Sequence, residues 1–280
     1  MKAFILAAGR GARLAPLTDA VPKILAPVLG VPMLERLRCW LLGHGVTALA
    51  LNTHHLAEAV VGHLEHSGGA AHAPRIFHEP SLLGTGGALV HAAAFWGGDP
   101  LLVWNGDILC DLDPRHLLQA HRSHGGKGGD IGGDMCGGKG GGKGGGAKDG
   151  GGPPLATLAV QQRQGDSHLL VDRDGTVCGI DSARRGIRRL AKTPAAEPRK
   201  MAFTGISILA PELPRRLPRQ GAFDIIDALL DAIADGGTVA TLDVGAAFYG
   251  TTGSPEKLAK LERGLSASPE LLAAWTPRGH

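Results

Sequence analysis

The first 124 residues alternate short apolar runs with segments of helical spacing, and this alternation constrains the fold more than any other feature of the chain. Lys2 to Ala8 reads as a buried parallel strand, because it is short, apolar and ended by glycine. Met33 to His44 carries Met33, Leu37, Trp40 and Leu41 at helical spacing and stops at Gly45. Val46 to Asn52 is the next strand, Leu56 to His66 the next helix, and Arg75 to His78 a further short strand. Gly86 to Trp96 is alanine-rich and helical. Leu101 to Trp104 is a buried strand that ends in Asn105-Gly106-Asp107, and Pro114 to His124 is another helix. Strands linked through helices form a mostly parallel sheet covered on both faces. Ligands of such sheets sit beyond the carboxyl ends of the strands, where Gly9 and Asp107 both fall.

The turn after the first strand is rich in glycine and cations. It runs Leu6-Ala7-Ala8-Gly9-Arg10-Gly11-Ala12-Arg13-Leu14-Ala15-Pro16-Leu17-Thr18 and is followed by Pro22-Lys23. Without a Cβ, Gly9 and Gly11 let the backbone turn tightly and expose several N–H groups to a ligand. Arg13 offers a planar fork and Lys23 a point charge, both suited to phosphate. A polyphosphate site follows, although the glycine pair alone is also what a plain strand-to-loop turn would show. A Walker loop is excluded, since no Gly-Lys-Ser or Gly-Lys-Thr follows Gly11. The dinucleotide fingerprint is excluded too, because its third glycine position holds Leu14.

A chain of 280 residues has room for one large α/β domain, or one domain with an appendage. The net charge of +3 and an aromatic content of 4% argue against a nucleic-acid partner, which would want a basic face or a stacking platform. Cys39, Cys110, Cys136 and Cys178 form no CxxC pair and no metal-ligand spacing, which suits a reducing cytoplasm. The apolar N-terminal run is too short for a signal peptide and is followed by Arg10 and Arg13. No segment reaches the roughly 18 apolar residues of a membrane helix. The expectation is a soluble cytoplasmic protein, a monomer or small homo-oligomer, with no membrane partner.

Residues 125–152 are dominated by glycine with scattered Lys and Asp, and read as a flexible surface insertion. Beyond it the character shifts towards β structure. Leu155 to Gln161 is a strand, Leu169 to Val171 and Thr176-Val177 form a hairpin about Asp172 to Gly175, and Met201 to Leu209 is a strand. Asp224 to Ala234 is a helix with Asp224 as N-cap, Thr238 to Val244 is a strand, and Ser254 to Leu265 is a helix with Ser254 as N-cap and Pro255 first.

Three further strings carry candidate chemistry. Asp107 at a strand end is a good ligand for a hard divalent ion such as Mg²⁺, or equally a turn residue that caps its own backbone. Asp111 and Asp113 read as caps of the helix that starts at Pro114. Leu83-Gly84-Thr85-Gly86-Gly87-Ala88 allows close approach of a flat ligand beside free helix N–H groups, or close packing of the helix start. Gly205 within Phe203-Thr204-Gly205-Ile206 marks a ligand's close approach to the strand, or a bulge. The histidines show no metal or triad spacing and read mostly as surface or loop residues, and no Gly-x-Ser-x-Gly elbow appears.

The string from Leu6 to Lys23, completed by Pro27-Val28, resembles the nucleotide-binding loop of the sugar-1-phosphate nucleotidyltransferases. The resemblance implies a Rossmann-like, mostly parallel mixed sheet flanked by helices, the nucleotide-diphospho-sugar transferase fold. It implies condensation of an NTP with a sugar 1-phosphate to give NDP-sugar and pyrophosphate. Residues 1–124 become the nucleotide-binding half and 153–280 the sugar-binding half of one domain. Leu6, Ala7, Ala8, Gly9, Gly11 and Arg13 are expected to bind the triphosphate, and Gly84 and Gly86 the base. Arg13 and Lys23 are the expected catalytic residues, Asp107 the Mg²⁺ ligand, and Asn52, Asn105, Thr204 and Gly205 the sugar contacts. Glu79-Pro80 also fits the family pattern. The chain departs from it at Thr251, where the family commonly has a second metal-binding Asp, and at Ala191-Lys192-Thr193-Pro194, which lacks the acid of the sugar-contacting element. The Thr251 departure raises a second expectation, a weakened member that binds nucleotide and regulates a partner.

Overall fold

The computed structural model describes residues 1–67, 73–124, 153–218 and 220–277. The insertion expected at 125–152 lies outside the described residues. The chain divides into two compact units, one of Met1–Leu83, Val103–Asp111 and Phe248–His280, the other of Gly84–Leu102 and Leu112–Ala247.

The first unit is built on parallel strands. Lys2–Leu6 pairs in parallel with Ala48–Thr53, in the register Phe4 to Ala50, and Ala48–Thr53 pairs in parallel with Arg75–His78. The strand Leu101–Asn105, whose Val103–Asn105 end belongs to this unit, lies on the other side of Lys2–Leu6. Helices Met33–Gly43 and Ala57–His66 connect these strands, as the helical spacing of Met33, Leu37 and Leu41 requires, and all three side chains are buried. Ala3, Phe4 and Ile5 are fully buried, so the strand that feeds the glycine loop is anchored in the core.

The chain returns to this unit at Phe248. The reason is packing at the C-terminal end. Trp275 is fully buried and stacks on Trp40 with ring centroids 4.4 Å apart. The buried Arg36 guanidinium donates to the Val28 carbonyl at 2.7 Å and the Trp275 carbonyl at 3.2 Å, tying helix Met33–Gly43 to that end. Ser254 caps helix Pro255–Ser266 through the Lys257 N–H.

The second unit is mainly antiparallel. Its strands run in the order Ile187–Leu190, Val177–Ser182, Ser167–Val171, Arg199–Leu209, Ala156–Gln161 and Val239–Asp243, and only the last pairing is parallel. Antiparallel pairing follows where a tight turn joins two strands, as at Asp172–Gly175, where Gly175 takes φ +81° and donates to the Asp172 carbonyl. Parallel strands in the first unit and mainly antiparallel strands in the second, with helices in both, match the expected mixed α/β class.

Two local expectations need correction. The helix expected over Gly86 to Trp96 is two helices, Gly84–His91 and Ala93–Trp96, with Phe95 and Trp96 both buried. Asp113 caps helix Pro114–Ser123 by accepting the Arg115 N–H, but Asp111 does not. Its Oδ1 is buried without a partner and burial raises its carboxyl pKa. Among the described residues no helix is long and apolar enough to cross a membrane.

Candidate active site

The loop after the first strand joins a rigid part to an open part. Gly11 has φ +70°, and a β-carbon there would stand 2.9 Å from Thr18 Cγ2 and 3.1 Å from Lys23 Cβ. The Thr18 hydroxyl and the Leu14 N–H both donate to the Gly11 carbonyl. Gly11 is therefore demanded by the protein itself. Gly9 differs: it is exposed, and a β-carbon on it would meet nothing within 4 Å. Arg10 and Arg13 are exposed as well.

Lys23 and Asp107, 84 positions apart, form an ion pair, with side chains 17% and 24% exposed. Gly106 makes this approach possible. Its N–H donates to the Leu6 carbonyl at 2.9 Å, and a β-carbon there would stand 2.7 Å from Ile24 Cδ1. The strand end bearing Asp107 thus lies against both the first strand and the residue after Lys23. Asn105, one of the expected sugar contacts, is half-buried at the same strand end.

Strand Tyr249–Thr251 pairs with Ile108–Cys110, setting Thr251 opposite Ile108, and the Thr252 N–H donates to the Asp107 carbonyl. The Thr251 hydroxyl and the Arg13 guanidinium both border Gly253, 3.4 and 3.7 Å from where its β-carbon would be. A carboxylate and a hydroxyl are the oxygen donor types that Mg²⁺ takes. Among the described residues no group of three acidic, His or Cys side chains could hold a metal by itself.

Asn52 is 4% exposed and its amide is engaged within the protein. Its Oδ1 accepts the Ala7 N–H and its Nδ2 donates to Glu79 Oε1, both at 2.7 Å. Direct contact with a sugar through this amide gives way to a role inside the fold. Glu79 itself, 1% exposed, also accepts the Leu83 N–H. Sequence reasoning leaves Glu79 out of the site residues. A glutamate directly after a half-apolar strand and before proline is the available signal.

In the second unit the glycines of the Leu83-to-Ala88 string are matched to protein. A β-carbon on Gly84 would strike the Phe223 backbone, and one on Gly86 the Phe223 ring. The Gly86 N–H donates to the Phe223 carbonyl and the Ile225 N–H to the Thr85 hydroxyl, so two helix starts cap each other. Of the two readings of this string, the packing of a helix start is the one on view. Thr204 is fully buried and its hydroxyl donates to the Ala159 carbonyl, leaving only its backbone for a sugar. Gly205, with φ +83°, falls in a register shift between Phe203 and Ser207, the bulge alternative.

Lys192, in the altered sugar-contacting element, donates to the Thr176 hydroxyl, which in turn donates to Asp174. The histidines read mostly as surface or loop residues, but His121 is 3% exposed with Nδ1 3.0 Å from the Thr157 hydroxyl, and burial pushes its pKa down to about 4.

The chain is similar over part of its length to known proteins. Residues 2–134 match the nucleotidyl transferase family model. Over 116 residues it is 40% identical to the N-acetylmuramate alpha-1-phosphate uridylyltransferase of Neisseria meningitidis, covering 40% of this chain and 49% of the relative. Over 124 residues it is 35% identical to the mannose-1-phosphate guanylyltransferase of Mycobacterium tuberculosis, covering 44% of this chain and 34% of the relative. The chain thus spans about half the length, or less, of these curated relatives. In fold it is similar to the crystal structure of HddC from Yersinia pseudotuberculosis, with a TM-score of 0.68 at 20% identity over 94% of this chain and 98% of the other.

Proposed function

We propose that this protein condenses a nucleoside triphosphate with a sugar 1-phosphate, releasing pyrophosphate and forming a nucleoside diphosphate sugar. The observation that carries the proposal is the meeting of Lys23 and Asp107 beside the open Gly9 turn. The activities named for the two relatives support the same reaction and favour UTP or GTP with an N-acetylmuramate or mannose type of 1-phosphate.

The reaction suits these residues. An oxygen of the sugar phosphate, already ionised at neutral pH, attacks the α-phosphorus of the triphosphate. A P–O bond forms there, the bond to the β-phosphate bridging oxygen breaks, and pyrophosphate leaves with that electron pair. No general base is required. The obstacle is holding two polyanions together in line, so positioning and charge neutralisation supply most of the catalysis. The Gly9–Arg13 backbone binds the triphosphate tail, with Leu6 to Ala8 forming its entry, and Arg13 meets the departing pyrophosphate. Lys23 moves from Asp107 to the α-phosphate and the sugar phosphate as these arrive. Asp107, helped by the Thr251 hydroxyl, would hold Mg²⁺, which would neutralise phosphate charge.

Pyrophosphate release, measured with Mg²⁺, the four NTPs and a panel of sugar 1-phosphates, tests the reading. Turnover with one pair is the expected result. Tight nucleotide uptake without pyrophosphate from any pair would overturn it.

A further inference from the structure

The polar chain at the ends of the first unit's strands is assembled from four separate places in the sequence. The Ala7 N–H, at the entry to the glycine loop, donates to Asn52 Oδ1 at 2.7 Å. Asn52 Nδ2 donates to Glu79 Oε1 at 2.7 Å, and the Leu83 N–H donates to Glu79 Oε2 at 3.0 Å. The backbone of Glu79 is held too, since its N–H donates to the Thr53 carbonyl and its carbonyl lies 2.9 Å from His54 Nδ1. Asn52 and Glu79 are 4% and 1% exposed, so water does not substitute for a missing partner.

The direction of each bond is fixed by chemistry. The two ends of the chain are backbone N–H groups, which only donate. The residue at 79 must therefore accept on both oxygens, and the residue at 52 must accept on one side and donate on the other. An ionised glutamate and an amide meet that requirement, each in one orientation.

We propose that Asn52 and Glu79 are a pair of positioning residues that lock the Ala7–Arg13 loop to the Leu83 turn. The inference rests on the proposed function for its catalytic meaning but not for its structural test. A buried carboxylate without a partner of opposite charge in this network is a costly choice for packing alone. It is an effective one for linking two backbone N–H groups, because the Glu79 carboxylate accepts from the Leu83 N–H directly and from the Asn52 amide, whose oxygen in turn holds the Ala7 N–H.

The polarity of the chain supplies a test that does not depend on removing bulk. Glu79→Gln keeps the shape but adds a donor. Whichever way the two amides turn, one donor then faces another, at Leu83, at Ala7 or between positions 52 and 79. Asn52→Asp sets two carboxylates against each other. The double variant Asn52→Asp with Glu79→Gln restores every bond. The new carboxylate at position 52 accepts from the Ala7 N–H and from the new amide at position 79, and the oxygen of that amide accepts from the Leu83 N–H. The isosteric double swap also keeps the net charge of the unmodified protein.

The measurements are amide hydrogen exchange at Ala7 and Leu83 without ligand, and kcat and KM for the NTP. Each single variant should speed exchange at one or both amides and raise KM for the NTP about tenfold, the scale of one mismatched buried bond, with a smaller effect on kcat. The double variant should recover protection and most of the KM. Exchange that is unchanged in the single variants, or no recovery of protection in the double variant, would overturn the lock. Restored protection with KM still raised would mean the side chains touch the nucleotide directly and would overturn the positioning role. Should the unmodified protein release no pyrophosphate with any substrate pair, the proposed function fails while the exchange results still decide the lock.

Discussion

Two glycine-bearing loops in this chain look alike in sequence and differ in what their glycines do. In the loop after the first strand, Gly9 is exposed and its β-face is open, while only Gly11 is pressed against Thr18 and Lys23. In the Leu83-to-Ala88 string, both Gly84 and Gly86 give way to Phe223, and the Gly86 N–H is already donated to the Phe223 carbonyl. Glycine thus answers to two demands. At Gly9 the missing side chain leaves room beside the chain, and at Gly86 it lets another part of the protein in. A string of glycines marks close approach, but not of what.

The contrast can be broken most sharply at the open loop. Lys23→Ala, and separately Arg13→Ala, should lower turnover by about two orders of magnitude or more, the scale of losing one transition-state charge contact. Pyrophosphate release checks this, and near-normal rates in either variant would detach the loop from the chemistry.

The second unit's sealed interior should respond to acid. His121 has a folded pKa of about 4 against an ordinary value of 6.5, so the unfolded chain binds its proton first as pH falls. Stability from this group is complete above pH 6.5 and is lost between 6.5 and about 4, roughly 3 kcal/mol at most. His121→Gln should flatten that limb of the stability–pH curve measured by denaturant unfolding; an unchanged slope counts against it.

The glycines themselves come next. Gly86→Ala should cost about 1–3 kcal/mol through overpacking against the Phe223 ring. Adding Phe223→Ala should relieve part of that cost, and a double-mutant cycle on melting temperature would expose any lack of coupling. Gly9→Ala is the smallest change, with stability expected to stay within about 0.5 kcal/mol. Its nucleotide affinity should nevertheless fall, and calorimetry with an NTP and Mg²⁺ reads that. If Gly9→Ala unfolds the protein while Gly86→Ala does not, the contrast is reversed.

Much of this molecule is readable from local chemistry. The parallel strands Lys2–Leu6, Ala48–Thr53 and Arg75–His78 follow from short apolar runs, and the caps Asp113, Asp224 and Ser254 follow from residue type and position. Phe203-Thr204-Gly205-Ile206 shows the limit. The strand is legible, but the burial of the Thr204 hydroxyl against Ala159 depends on a neighbour 45 residues away. Asp111 and Asp113 carry the same side chain at the same helix start, yet only one caps, because the pairing with the strand that follows Phe248 buries the other.

By itself the sequence determined the alternation of elements, the glycine turn and its two cations, since each of these is encoded within a few neighbouring residues by periodicity, backbone freedom or charge. Only the tertiary structure decided that Lys23 meets Asp107, that Phe223 fills the space over Gly86, and that Asn52 and Glu79 bridge Ala7 and Leu83. Those partners lie far apart along the chain. They come together through burial of apolar surface across the whole fold, which no local pattern records.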